Sequence, residues 1–140
     1  MPDRLAFTAY IKPEPQGSAR AFVIKGRAVV TSDNRKLKPF RSEVTRCAMS
    51  FCAENDIALP YAGKHEPVDV AMTFFLRRPE SLPKKHRYPA RKPDVDKLAR
   101  AVLDSLTGVA FHDDGQVVQI VASKQYDGVE RVAITVMKSV

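Results

Sequence analysis

Two stretches of this 140-residue chain alternate between apolar and polar positions with the period of a β-strand. The first covers residues 5–11 and is followed by Pro13 and Pro15, which cannot continue a hydrogen-bonded ladder. The apolar positions of the second stretch, residues 68–76, fall on one face: Val68, Val70, Met72, Phe74 and Leu76. Both stretches are therefore predicted to be strands with one buried face.

Apolar residues recur at helical spacing in two other stretches. The first begins at Pro39, ends near Asn55 and carries the apolar positions Phe40, Val44, Cys47, Ala48, Phe51 and Cys52. The second follows Pro93, stops at Gly108 and carries the apolar positions Val95, Leu98, Ala99, Val102 and Leu106. Each helix has one apolar face, so we expect both helices to pack on a sheet.

Glycine-containing turns predict two β-hairpins. Lys25-Gly26 joins the short apolar runs 22–24 and 28–30, and a glycine supplies the positive φ that such a tight turn needs. Asp127-Gly128 joins residues 117–122 to residues 129–137. Because Asp-Gly between two β-rich runs is a strong local signal, we expect these last two strands to pair with each other.

These elements predict a compact α+β fold in two layers, in which a mainly antiparallel or mixed sheet carries the two helices. The length suits one domain covering residues 1–140. Hydrophobic residues make up 44% of the chain and charged residues 28%, as in an ordinary globular protein. No apolar run approaches the roughly 20 residues of a membrane span, and the N-terminus lacks the layout of a signal peptide. We therefore expect a cytoplasmic protein that is not bound to a membrane.

Positive charge predominates along the chain. Lys and Arg number 23 against 16 Asp and Glu, which gives a net charge of +7 and a pI near 9.6. Such a balance favours a polyanionic partner. Residues 77–92, here called the basic loop, contain seven Lys or Arg and three prolines, so they are predicted to be irregular and functional. The side chains expected to bind DNA come mostly from this loop: Arg77, Arg78, Lys84, Lys85, Arg87, Arg91, Lys92, Lys97 and Lys124.

Acidic residues concentrate directly after the basic loop, which is unexpected in a basic protein. Asp94 and Asp96 stand where the loop becomes the second helix, and Asp113 and Asp114 follow that helix. If the chain stays extended through Asp96, the first two carboxylates project from the same side, because residues i and i+2 share a face. The strand headed by Asp113 and Asp114 could run back beside the helix and bring one of these carboxylates to the first pair.

Each acidic residue also has an ordinary structural interpretation. A D-x-D pair before a helix is more often an N-cap with a first-turn charge than a metal site. Asp113-Asp114-Gly115 suits a plain turn, and Asp104 suits an ion pair with Arg100 four residues earlier. The presence of both acidic pairs around one helix is what favours a metal site.

Oxygen ligands select Mg²⁺ or Mn²⁺ over Zn²⁺. Three carboxylates around one or two such ions can promote phosphodiester hydrolysis, and a neighbouring cation can offset the charge of the transition state. Arg100 is one candidate cation; Lys97 is another, and it suits a surface ion pair equally well. The three histidines lack the spacing of a histidine metal centre, and the chain has no Walker glycine loop that would indicate a nucleotide cofactor.

The segment R-K-P-D-V-D-K-L-A-R-A-V-L-D-S-L-T-G, followed by F-H-D-D-G-Q-V-V and Lys124, resembles the RusA family of Holliday junction resolvases. The specific part of this resemblance runs from about Arg91 to Lys124. The resemblance implies a homodimeric, Mg²⁺-dependent endonuclease that makes paired symmetric nicks across a four-way DNA junction in recombination and repair. Members of the family are often carried by prophages.

The resemblance also implies roles for single residues. Asp94 and Asp96 match the two aspartates of the first family motif, Asp114 matches the essential aspartate of the second, and Asp113 matches its less central neighbour. Arg100 stands where well-known members have a catalytic lysine, so a planar guanidinium replaces a compact ammonium. Lys97 stands at a position that is often Asn. These departures leave the reaction class in place and affect the expected rate and metal preference.

Two other functions fit the sequence without the resemblance. The first is a non-catalytic, basic DNA-binding protein whose aspartates only cap helices and form turns. The second is a metal-dependent phosphohydrolase of small substrates, against which stand the excess of positive charge and the absence of a loop that would hold a nucleotide.

Overall fold

The computed structural model describes residues 3–17, 19–32 and 34–139. The elements within these ranges are β1 (Arg4–Ala9), β2 (Ala19–Ile24), β3 (Arg27–Ser32), α1 (Leu37–Glu54), β4 (Val68–Leu76), α2 (Val95–Leu106), a short 3₁₀ turn (Asp114–Gln116), β5 (Val117–Tyr126) and β6 (Arg131–Lys138). No helix among the described residues is long and apolar enough to cross a bilayer.

Four strands form one mixed sheet in the order β1, β6, β4, β5. β6 pairs antiparallel with both β1 and β4, whereas β5 pairs parallel with β4. Parallel neighbours need a crossover connection, and here the crossover consists of the basic loop, α2 and the turn after it. The predicted α+β class, a mixed sheet with two helices, is confirmed.

The core lies between one face of this sheet and the two helices. The alternation of β4 places Val68, Val70, Met72, Phe74 and Leu76 in the core, as predicted. The largest buried side chains that the helices contribute are Phe40, Leu98 and Leu106. The helices also contact each other, since Thr45 Oγ1 of α1 donates a 2.7 Å hydrogen bond to the Ser105 carbonyl of α2.

The two predicted helices are confirmed, together with their end signals. Pro39 lies in the first turn of α1, and Asn55 follows its last residue as the C-cap. α2 ends at Leu106, and Gly108 then adopts a φ of +91°, a conformation that side chains with a Cβ rarely adopt.

The first predicted hairpin is also confirmed. β2 and β3 pair antiparallel in a separate two-stranded sheet, and Lys25 and Gly26 form its turn with φ values of 49° and 80°. Positive φ at both central positions is the geometry that twists in the same sense as the strands.

The second predicted hairpin is wrong, because β4 lies between β5 and β6. Asp127 and Gly128 begin a four-residue link that crosses the end of β4, and the Asp127 amide donates to the Leu76 carbonyl at 2.9 Å. The link is closed by the Asp127 carboxylate, which accepts from Arg131 at 2.6 Å and from the Val129 amide at 3.1 Å. The dipeptide does form a turn, but strand pairing is decided by a segment 50 residues earlier in the chain.

Candidate active site

Asp94 and Asp96 lie at the N-terminal end of α2. Asp94 is the N-cap, with extended backbone angles (φ −71°, ψ 136°), and Asp96 belongs to the first helical turn. The chain therefore does not stay extended through Asp96, contrary to the expectation, because the helix already begins at Val95. Both carboxylates are exposed, and the positive end of the helix dipole favours their charge.

The Asp94 side chain does not act as a helix cap, although it occupies the capping position. It makes no hydrogen bond to the amides of the first turn. Its carboxylate is 48% exposed and lies 4.0 Å from Lys97 Nζ, a loose and solvated ion pair. The ordinary capping interpretation therefore does not account for Asp94, and its oxygens face solvent where a cation can reach them.

Lys124 fixes the segment that leads into Asp94. From β5, its Nζ donates to the carbonyl oxygens of Arg91 at 2.8 Å and of Pro93 at 2.9 Å. A second hydrogen bond attaches the first turn of α2 to the segment before β2, because the backbone amide of Gln16 donates to the Lys97 carbonyl at 3.0 Å. The D-x-D pair is thus carried on a segment that is tied to the sheet as well as to the helix.

Arg100 lies one helical turn after Asp96 and is exposed. Among the described residues, no ion pair within 4.0 Å includes Arg100, so the alternative pairing with Asp104 is not present. The guanidinium is therefore available beside the N-terminal half of α2.

Asp113 and Asp114 lie beyond the opposite end of α2. The chain folds back after the helix, as the Gly108 amide donates to the Phe111 carbonyl at 2.8 Å, and the 3₁₀ turn then leads into β5. Both carboxylates are exposed. The 12 residues of α2 make a helix about 18 Å long, and the two acidic pairs adjoin its opposite ends.

One chain therefore does not bring Asp114 to Asp94 and Asp96. β5 does run back beside α2, as expected. However, the end of β5 that approaches Pro93 is its C-terminal end, through Lys124, whereas Asp113 and Asp114 precede its N-terminal end. Among the described residues, no three His, Cys, Asp or Glu side chains gather into a group that could hold a metal ion. A common ion for Asp94, Asp96 and Asp114 stays a prediction, and it requires more than one chain.

Gln116 anchors the second acidic pair, a role that the sequence did not reveal. Its Oε1 accepts from the amides of His112 at 2.8 Å and Asp113 at 3.0 Å. Its Nε2 donates to the carbonyls of Gly63 at 2.8 Å and Glu66 at 2.9 Å. All four hydrogen-bonding positions of the carboxamide are thus used to hold the acidic turn against the loop before β4.

That loop is itself closed by Glu66. Its carboxylate accepts from the Gly63 amide at 2.7 Å, and this hydrogen bond holds the pKa of the Glu66 carboxyl below its ordinary value, with a smaller contribution from Lys138. His65, His112 and Asp113 line one cavity of about 620 Å³ beside it. Residues from three separate parts of the chain meet here, so local sequence patterns could not have predicted the arrangement.

The basic loop lacks regular structure, as predicted, and one arginine organises it. Arg78 donates to the carbonyls of His86 at 2.6 Å, Leu82 at 3.4 Å and Pro83, and its guanidinium lies 5.5 Å from the centre of the Tyr126 ring. Arg77 donates to the Gly128 carbonyl at 3.4 Å. The remaining cations of the loop are exposed: Lys84, Lys85, Arg87, Arg91 and Lys92.

Comparison with known proteins shows the family to which the chain belongs. Residues 12–137 match the family described as Endodeoxyribonuclease RusA. The chain is also 30% identical over 137 residues to a Bacillus subtilis (strain 168) protein named Uncharacterized protein YqaN, and the match covers 96% of each sequence.

Proposed function

Because the chain belongs to the RusA family of endodeoxyribonucleases, we propose that it resolves Holliday junctions by paired symmetric nicks in DNA recombination and repair. The observation that carries this proposal is the exposed carboxylate of Asp94, which makes no capping hydrogen bond. It lies close to Asp96 in the sequence, at the point where the basic loop enters α2. Exposed carboxylates, of which Asp94 makes no capping hydrogen bond, thus follow directly on side chains suited to phosphate.

The donor set fits a hard divalent cation. Asp94 and Asp96 offer only oxygen atoms and are solvent-accessible, and the described lining of the cavity beside Asp94 contains neither His nor Cys. Mg²⁺ is commonly held by one or two carboxylates and water, and Mn²⁺ accepts the same ligands. When bound, such a cation would stabilise the negative charge that develops on the phosphate during hydrolysis.

A second copy of the chain completes the ligand set in our proposal. In the described part of the chain, β5 pairs with β4 on one side only, so its other edge is open. The residues Val118, Ile120 and Val121 of this edge strand are 63%, 46% and 56% exposed. A long apolar edge strand of this kind is a template for pairing with another strand.

Antiparallel pairing of β5 with β5 of a second copy would bring the second acidic pair of one chain close to the first acidic pair of the other. In such a pair, the first residues of one strand lie beside the last residues of the other. Asp114, which precedes β5, would then approach the end of the partner's β5, where Lys124 holds the segment before Asp94. Two equivalent sites would form, each with Asp94 and Asp96 from one chain and Asp114 and Asp113 from the other.

The remaining residues have roles in binding and charge compensation. Arg100 lies within a turn of Asp96 and would contact the scissile phosphate, offsetting the charge of the transition state. The exposed cations of the basic loop, with Lys97, would hold the sugar-phosphate backbone. A two-fold dimer with two such sites matches the near two-fold symmetry of a four-way junction, so paired nicks follow from the assembly.

A synthetic four-way junction tests the proposal. The wild-type chain should cut opposing strands symmetrically in Mg²⁺, and Asp96→Asn should abolish cutting while junction binding survives. Asp104→Asn, a matched change further along α2, should cut like the wild type. A wild-type protein that binds the junction but cuts no strand in Mg²⁺ or Mn²⁺ would contradict the proposed activity.

A further inference from the structure

A second run of positive charge lies outside the basic loop. Residues 17–42 contain seven Lys or Arg and one acidic residue, Asp33. Four of these cations gather where α1 begins and are here called the α1 cluster: Arg35, Lys36, Lys38 and Arg41. The first three are exposed and Arg41 is half-buried.

The described residues provide no acidic partner for the α1 cluster. Among the described residues, no ion pair includes any of its four members. Glu43, on the same helix, is occupied by Arg46, which donates to its two oxygens at 2.8 and 2.7 Å. Asp104 alone contributes a carboxylate to the described lining of the groove beside the cluster. The cluster therefore keeps its positive charge for an anion from outside the chain.

Three cavities that share lining residues connect the α1 cluster to the basic loop by way of Asp94. Arg35, Lys38 and Arg41 line a groove of about 1210 Å³ that reaches Asn34. Asn34 also lines the next cavity, of about 480 Å³, together with Asp94 and Lys92. Lys92 in turn lines a third cavity, of about 430 Å³, with residues of the basic loop. The cavity that Asp94 lines thus shares one residue with the groove of the α1 cluster and another with the cavity of the basic loop.

We infer that the α1 cluster binds the phosphate backbone of a second duplex arm, while the basic loop binds the first. This inference rests on the proposed function. A four-way junction has four arms, so each protomer of a two-fold dimer must hold two of them. Backbone contacts by Lys and Arg supply most of the affinity of such complexes and no sequence preference. If one arm binds each cation group, the centre of the junction, where the arms meet, lies near Asp94.

Binding measurements without metal test the inference apart from cleavage. We would compare the triple variant Lys36→Gln, Lys38→Gln, Arg41→Gln with the wild type on a four-way junction and on a linear duplex, across a series of salt concentrations. Arg46→Gln is the matched control, because this arginine lies on the same helix and is paired with Glu43. Lys38→Gln alone serves as a second variant if the triple variant folds poorly.

The triple variant should lose about tenfold or more in junction affinity. The slope of log affinity against log salt concentration should become shallower by about 0.9 for each phosphate contact removed. Duplex affinity should stay within about twofold, because the basic loop holds one arm. Lys38→Gln should reduce the salt dependence by about one contact, and Arg46→Gln should match the wild type. Unchanged junction binding, or an equal loss on junction and duplex, would overturn the inference. A wild-type protein that binds the junction without cutting it counts against the proposed activity alone.

Discussion

The Lys124 ammonium donates a 2.9 Å hydrogen bond to the carbonyl of Pro93, the residue immediately before Asp94. A second hydrogen bond, of 2.8 Å, joins the same ammonium to the Arg91 carbonyl. The sequence predicted Lys124 as a DNA-binding residue, and these contacts favour a positioning role instead. The lysine holds the entry to the D-x-D pair in place across a separation of 31 residues.

Lys124→Met should therefore impair cleavage more than binding. Without the ammonium, the two carbonyls lose their donor and the segment before Asp94 is free to shift, and a displacement of about 1 Å at a reacting group can slow catalysis about a hundredfold. Single-turnover cleavage of a four-way junction should fall about 10–100-fold, with binding within about twofold. Lys84→Met, which removes an exposed charge of the basic loop, should show the opposite pattern. Equal effects of the two variants on binding would refute the positioning role.

Gln116→Leu should destabilise the protein and disturb the second acidic pair. Leucine has a similar volume and replaces none of the four hydrogen bonds, so the His112 and Asp113 amides and the Gly63 and Glu66 carbonyls lose their partner. Urea denaturation should show a loss of about 2 kcal/mol in the free energy of unfolding. Gln125→Leu, at an exposed position in β5, is the control and should stay within about 0.5 kcal/mol. A Gln116 variant as stable as the control would rule out the anchoring role.

Val121→Lys should dissociate the proposed dimer. Val121 lies in the middle of β5, so antiparallel self-pairing brings two copies of it together, and each buried valine is worth about 1.5 kcal/mol. Sedimentation should show a dimer dissociation constant raised about a hundredfold, and cleavage should be lost in parallel. Val129→Lys is the control, because Val129 is 54% exposed and Val121 is 56% exposed. If both variants sediment like the wild type, β5 is not the interface.

The link between β5 and β6 should make stability depend on pH. The hydrogen bond from Arg131 holds the pKa of the Asp127 carboxyl below its ordinary value of 3.8. The stabilisation that the ionised Asp127 carboxylate gives the folded protein is therefore fully present above pH 3.8, and it is lost as the pH falls through the lowered pKa of the folded state. Asp127→Asn should lower the melting temperature at pH 7, and the difference from the wild type should shrink as the pH falls through the lowered pKa of Asp127. A difference that persists undiminished at low pH would exclude this ionisation as its cause.

The helices, the first hairpin and the buried face of β4 could be predicted because each depends on local spacing. The pairing of β5 could not, since its true neighbour β4 lies about 50 residues away and only the packed sheet selects it. The same parallel pairing sets the direction of β5 against α2 and carries Asp114 away from Asp94. Both acidic pairs could be recognised in the sequence because each is a local motif. Their separation within one chain could not, because it follows from long-range topology.

Mixed dimers test directly whether one active site draws its carboxylates from two chains. Asp96→Asn and Asp114→Asn chains, carrying different tags, would be refolded together, and dimers containing both tags would be purified. In such a dimer, both changes fall in one composite site, while the other site keeps Asp94, Asp96 and Asp114 intact. Each parent homodimer has both sites damaged.

Strand nicking of a four-way junction by the purified mixed dimer is the decisive measurement. We expect that neither parent cuts, and that the mixed dimer nicks one strand per junction at about half the wild-type rate. If each site instead belonged to a single chain, both sites of the mixed dimer would carry a defect. A mixed dimer as inactive as its parents would therefore rule out an active site shared between two chains.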